Sequence, residues 1–197
     1  MPLVPGNEHC PSGLGELEDL LLLLWARGDA ALLAGQTVAF VGARACTAHG
    51  AFITAELAAH AARSGATVLS GAAYGADRAN PRGHDSLIGR ITEEACVVSE
   101  APPGAAPTQA RFLARLRTIA ALSSAVLAPE AAPRSRSLGG ARTAALLGRP
   151  VGAVPGPVTS AASAGCPLLV QEGTARLVTS DEDVMRMLGQ EGAQPWR

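Results

Sequence analysis

The feature that most constrains this chain is a repeating order: a short apolar strand, a turn of small residues or proline, then a helix-length segment. Thr37–Val41, Thr67–Leu69, Ala95–Ser99, Ala125–Ala128, Val151–Val154 and Arg176–Val178 read as strands. Ala48–Ser64, His84–Glu94, Arg111–Leu122 and Leu138–Leu147 read as helices, and Ser180-x-x-Asp183 opens a last one to about Leu188. Such alternation implies βαβ units, a mostly parallel sheet, and right-handed crossovers that place helices on both faces. The expectation is a three-layer αβα domain of the α/β class. Leu17–Trp25 reads as a short apolar helix or packing segment, and Leu168–Gln171 as a short helical or extended element.

The turns Gly42, Ser70-Gly71, Pro102-Pro103-Gly104, Pro129 and Pro155-Gly156 all follow strands. In an open parallel sheet those strand ends lie along one edge, where ligands bind. Arg44, Ser70, Gly71, Arg111, Arg115 and Gly156 are therefore expected near one another, although they are far apart in sequence. Thr37–Gly50 is the clearest case. A buried strand runs into Gly42-Ala43-Arg44, and a helix starts at about Ala48. Unpaired N–H groups and the helix dipole make such a start favourable for an anion. The alternative is that Gly42 only turns the chain.

Charge sharpens the choice. All 16 basic residues are arginine. The absence of lysine excludes a P-loop lysine and a Schiff-base lysine. Residues 101–171 carry seven arginines against one acid, Glu130. A basic segment inside a chain of net charge −1 points to a polyanion site, or else to arginine-rich exposed helix faces. Arg111 and Arg115 are one helical turn apart with Phe112 beside them, a set suited to phosphates and a stacked base. Arg134-Ser135-Arg136-Ser137 precedes a helix and has the composition of a phosphate clamp; a solvated loop with Ser137 as N-cap is the plainer reading.

Other chemistries lack their motifs. No G-x-G-x-x-G follows the first strand, and no G-x-S-x-G, H-E-x-x-H or paired-carboxylate motif occurs. Cys10, Cys46, Cys96 and Cys166 have no C-x-x-C spacing, which suits free thiols in a reducing cytoplasm better than zinc or disulfides. The longest apolar run, Leu20–Trp25, is too short to cross a bilayer. The chain is expected to need no cofactor or metal and to associate with no membrane. Residues 1–15 read as a flexible segment, 16–189 as one domain and 190–197 as a tail.

Six stretches in order resemble the DNA-processing protein A (DprA/Smf) family: Val38–Gly50, Thr67–Gly75, Val98–Pro107, Arg111–Ser123, Gly148–Gly156 and Ser163–Gly165. The resemblance runs from about Leu22 to Leu188. It implies a Rossmann-like fold and a dimeric protein that binds single-stranded DNA without a catalytic step. It also implies loading of the recombinase RecA during natural transformation. By motif position the DNA-binding set is Gly42, Arg44, Ser70, Gly71, Arg111, Phe112, Arg115, Arg117, Ser135, Arg136 and Ser137. Three departures stand out. Leu116 replaces an asparagine between two arginines, and Arg136 replaces a glycine. Gly75-Ala76-Asp77 passes almost directly to Asn80-Pro81, so a βα piece of roughly 30 residues is missing, which would expose a sheet edge. Two alternatives stay open: a nucleotide-binding or nucleotide-processing protein of the same broad superfamily, and a degenerate copy that does not bind.

Overall fold

The computed structural model describes residues 1–17, 23–43, 46–71, 84–106 and 108–189, with backbone alone for 84–88. Its centre is a five-stranded parallel sheet built from β3 (Thr37–Phe40), β4 (Thr67–Ser70), β6 (Ala125–Ala128), β7 (Val151–Ala153) and β8 (Arg176–Leu177). The order across the sheet is β4-β3-β6-β7-β8, all neighbours parallel. The strands form because their apolar residues feed both faces at period two. Val38, Phe40, Ala125 and Leu127 pack on one side with Ala61 of α1 (Ala48–Arg63) and Val184 and Met187 of α6 (Asp181–Met187). Ala39, Val126, Ala128, Val151 and Ala153 pack on the other. Their partners there are Ile119 of α3 (Gln109–Leu122), Leu138 and Ala141 of α4 (Ser137–Leu146) and Leu169 of α5 (Gly165–Gln171). This is the three-layer, Rossmann-like arrangement expected from the alternation.

Helix starts carry their own signals. Thr47 caps α1, its hydroxyl accepting from Gly50 N–H at 3.0 Å, and Thr108 caps α3 through Arg111 N–H at 3.2 Å. Ser180 and Asp183 close a reciprocal capping box on α6. Leu138 is the second residue of α4 rather than its first, and the N-cap is Arg136 rather than Ser137.

A second, smaller sheet corrects part of the sequence reading. Ala95–Ser99 was expected in the parallel sheet. Its strand β5 (Cys96–Ser99) instead pairs antiparallel with β2 (Leu24–Gly28), which pairs antiparallel with β1 (Pro2–Leu3). The end of the Leu17–Trp25 segment is thus extended, not helical. Leu24 and Ala26 are buried while Trp25 between them is half-buried, a period of two that selects a strand. Where a flexible N-terminal segment was expected, Leu3 and Leu14 are buried in a cluster with Leu24, Ala121 and Leu122. The α2 helix (His84–Glu94) packs on this small sheet. No helix among the described residues is long and apolar enough to cross a membrane.

Candidate nucleic-acid interface

The chain leaves β3 through α1 toward β4 on one side, and later returns with β6 on the other side of β3. The loops after β3 and β6 therefore diverge, and α1 and α4 lie on opposite faces of the sheet. This is the switch point where open α/β sheets form ligand crevices. A pocket of about 530 Å3 opens there. One wall is Phe40–Ala43, another is Ala132 with Arg134–Ser137, and α3 contributes Phe112, Arg115, Leu116 and Ile119.

Of the residues expected at the site, Gly42, Gly71, Phe112, Arg115, Ser135, Arg136 and Ser137 line this pocket. Gly71 lets the end of β4 come close to α3: a Cβ there would lie 3.1 Å from Ile119 Cδ1 and 3.4 Å from Arg115 Nε. Arg115 stacks on Phe112, its Cζ 4.6 Å from the ring centroid. The two residues thus act as one cationic, flat surface. Ser135 and Ser137 face each other at 2.6 Å between hydroxyl oxygens. Arg134 and Arg136 are exposed and have no carboxylate partner among the described residues. Ser70 is exposed at the end of β4, next to Gly71 but not in the pocket wall.

Arg111 and Arg117 are placed elsewhere. The Arg111 guanidinium donates to the Ala106 carbonyl at 2.6 Å, and Arg117 pairs with Glu100 at 3.1 Å. The helix explains the second case: positions 115 and 117 are separated by about 200° around the axis, so they cannot share a face. Arg44 lies outside the described residues. Arg134 lines the pocket although the motif comparison did not select it; its place in the Arg-Ser-Arg-Ser run was the available signal. Leu116, where the family has asparagine, packs against α4: a Cβ on Gly140 would sit 3.2 Å from its Cδ2. Burial raises the thiols of Cys10 and Cys96, and that of Cys166 to about 11, so none of the three is a ready thiolate nucleophile at neutral pH.

A parallel sheet with helices on both faces and an arginine-bearing crevice at its switch point defines a Rossmann-like α/β protein. The chain belongs to the DNA recombination-mediator protein A family, whose family model matches residues 2–80 and 76–189. The two matched pieces overlap at residues 76–80, where Gly75-Ala76-Asp77 passes almost directly to Asn80-Pro81. The chain is 41% identical over 196 residues to a putative DNA processing protein DprA of Mycobacterium tuberculosis, covering 87% of this chain and 50% of that protein. It is 35% identical to DNA processing protein DprA of Streptococcus pneumoniae, covering 89% and 70%. The chain thus spans about half the length of the mycobacterial relatives it matches. The crystal structure of the pneumococcal protein superposes with a TM-score of 0.87 at 33% identity, covering 94% of this chain and 73% of that one. DNA processing protein A of Helicobacter pylori, a structure concerned with single-stranded DNA binding, gives 0.84 at 26% identity, covering 95% of each.

Proposed function

We propose that this protein binds single-stranded DNA in the switch-point crevice and takes part in DNA processing without catalysing a covalent step. The observation that carries the reading is the convergence of Arg115, Arg134 and Arg136, from two distant segments, around a Gly42 turn and a stacked Phe112. Arginine forks hold backbone phosphates, and an aromatic face accepts any base, so affinity needs no sequence code. Ser70, Arg111 and Arg117 remain proposed contacts along the DNA strand beyond the crevice itself, and Arg44 remains a proposed contact on its motif position alone. Family membership supports the wider role: a homodimer in the cytoplasm that loads RecA on incoming DNA during natural transformation. Fluorescence anisotropy with labelled oligo-dT tests the binding step. Saturable binding at low salt is expected, and no binding at low salt would overturn it. Size-exclusion chromatography with light scattering tests the dimer, and a strand-exchange assay with RecA tests the loading step.

The size of the crevice favours one second reading, since about 530 Å3 would also accept a single nucleotide. A thermal-shift screen separates the two. A mononucleotide ligand would raise the melting temperature at low concentration; a strand-binding site would respond to oligonucleotides and hardly to their monomers.

A further inference from the structure

The one acid of the basic segment is also among the most buried residues of the protein. Glu130 follows β6 directly and is 1% exposed. Its carboxylate reaches across the switch point to the loop after β3. Oε2 accepts Thr47 N–H at 2.6 Å, and Oε1 accepts the Thr47 hydroxyl at 2.8 Å. Oε1 also accepts the Ser163 hydroxyl at 3.1 Å, which leaves Ser163 Oγ to accept from the Ser160 hydroxyl at 3.2 Å. The backbone of Glu130 takes part as well, its carbonyl accepting Ala43 N–H at 2.8 Å. Both flanks of the turn after β3, Ala43 and Thr47, are thus fastened to one residue of the neighbouring strand.

The surroundings are shaped for this carboxylate. A Cβ on Gly50 would lie 2.5 Å from Glu130 Oε2, so α1 can start here only with glycine at that position. A Cβ on Gly156 would lie 2.2 Å from Ser163 Cβ, so the loop after β7 also leaves room for the third partner. Burying a carboxylate is expensive unless its acceptor positions are filled, and here the occupants are an amide and two hydroxyls. The switch-point pocket lies beside this network. Gly42 and Ala43 form one wall of that pocket, and their position follows from the flanks that Glu130 holds.

We infer that Glu130 is a positioning residue of the crevice: it fixes the Gly42 turn and the start of α1 by hydrogen bonding, and does not itself touch the ligand. The inference rests on the DNA-binding reading for its affinity arm only. Its chemistry makes a separable prediction about Glu130→Gln. The Oε1 position meets only hydroxyls, which can accept as well as donate. A glutamine can therefore place its oxygen at Thr47 N–H and its amide at Thr47 and Ser163. Shape and hydrogen bonds survive while the charge is lost. Glu130→Ala removes every side-chain bond.

The test combines oligo-dT anisotropy with amide hydrogen exchange of the free protein. Glu130→Ala is expected to weaken binding about tenfold or more and to speed exchange at Thr47 and Gly50 by a similar factor, with the sheet amides still protected. Glu130→Gln is expected within about threefold of wild type on both readouts, rescuing the alanine loss. Wild-type affinity and exchange in Glu130→Ala would overturn the inference. So would an equal loss in both variants, since the charge and not the placement would then matter. If the wild type binds no DNA, the DNA reading fails, and exchange at Thr47 and Gly50 still decides whether Glu130 positions the turn. Should Glu130→Ala not fold, Ser163→Ala removes one arm of the carboxylate and leaves the Thr47 cap on Gly50 in place. Faster exchange at Thr47 in Ser163→Ala supports the inference; unchanged exchange there overturns it.

Discussion

Two pockets of similar size lie at opposite ends of the same parallel strands. The one at the strand C-terminal ends measures about 530 Å3, and the one at the N-terminal ends, lined by Cys10, Gly35, Thr37, Ser123, Ser124 and Arg149, about 580 Å3. Volume does not distinguish them; polarity does. The first is approached by the start of α4 beside the start of α1, the positive ends of helices. The second gathers the ends of α3 and α4, the negative ends. Each holds arginine, with different company. Arg149 in the second pocket is matched by Glu16 at 2.9 Å. In the first, Arg134 and Arg136 have no carboxylate partner among the described residues, and the nearest acid in sequence, Glu130, is buried and occupied with hydrogen bonds. A parallel sheet has two ends, and of the two pockets at them, the one at the C-terminal end holds arginines with no carboxylate partner among the described residues.

The largest expected effect that could break this contrast is at the C-terminal end. Arg115→Ala combined with Arg136→Ala should lower oligo-dT affinity about 100-fold, because each removes a charge-assisted contact worth about 1.5 kcal/mol. Unchanged anisotropy titrations would move the ligand elsewhere. Phe112→Ala comes next, with a loss of about tenfold from the stacked face, and a smaller loss for Phe112→Tyr, which keeps the ring. The smallest effect should come from the other end. Arg149→Ala breaks the pair with Glu16 and is expected to cost about 1 kcal/mol or less in chemical denaturation. It should leave DNA affinity within about twofold, as it removes a charge that the sheet end already neutralises.

How much of this was legible in the sequence depends on how local each signal is. β3, β6, α1 and the Gly42 turn were readable because Val38–Val41 and Ala125–Ala128 are uninterrupted apolar runs that stop at glycine or proline. The basic segment was readable from composition, and most of the pocket wall follows from it. What failed depended on partners. Three apolar residues at Cys96–Val98 say strand, but not which strand they pair with, and they pair with β2. Arg117 matched a motif in sequence, yet the helix turns it to Glu100. Glu130 was visible as the lone acid of its segment. Its role was not visible, because Thr47 and Ser163 come from segments 83 positions before it and 33 after.

The central claim is that the C-terminal end of the sheet holds a polyanion through several arginines at once. The salt dependence of oligo-dT binding tests it most directly. Three phosphate contacts on a single strand predict that log Kd rises with log salt concentration with a slope of about 2. Arg115→Ala and Arg136→Ala should each lower that slope by about 0.7, and Arg149→Ala should leave it unchanged. A slope near zero, or one reduced by Arg149→Ala and by neither of the others, would contradict the account.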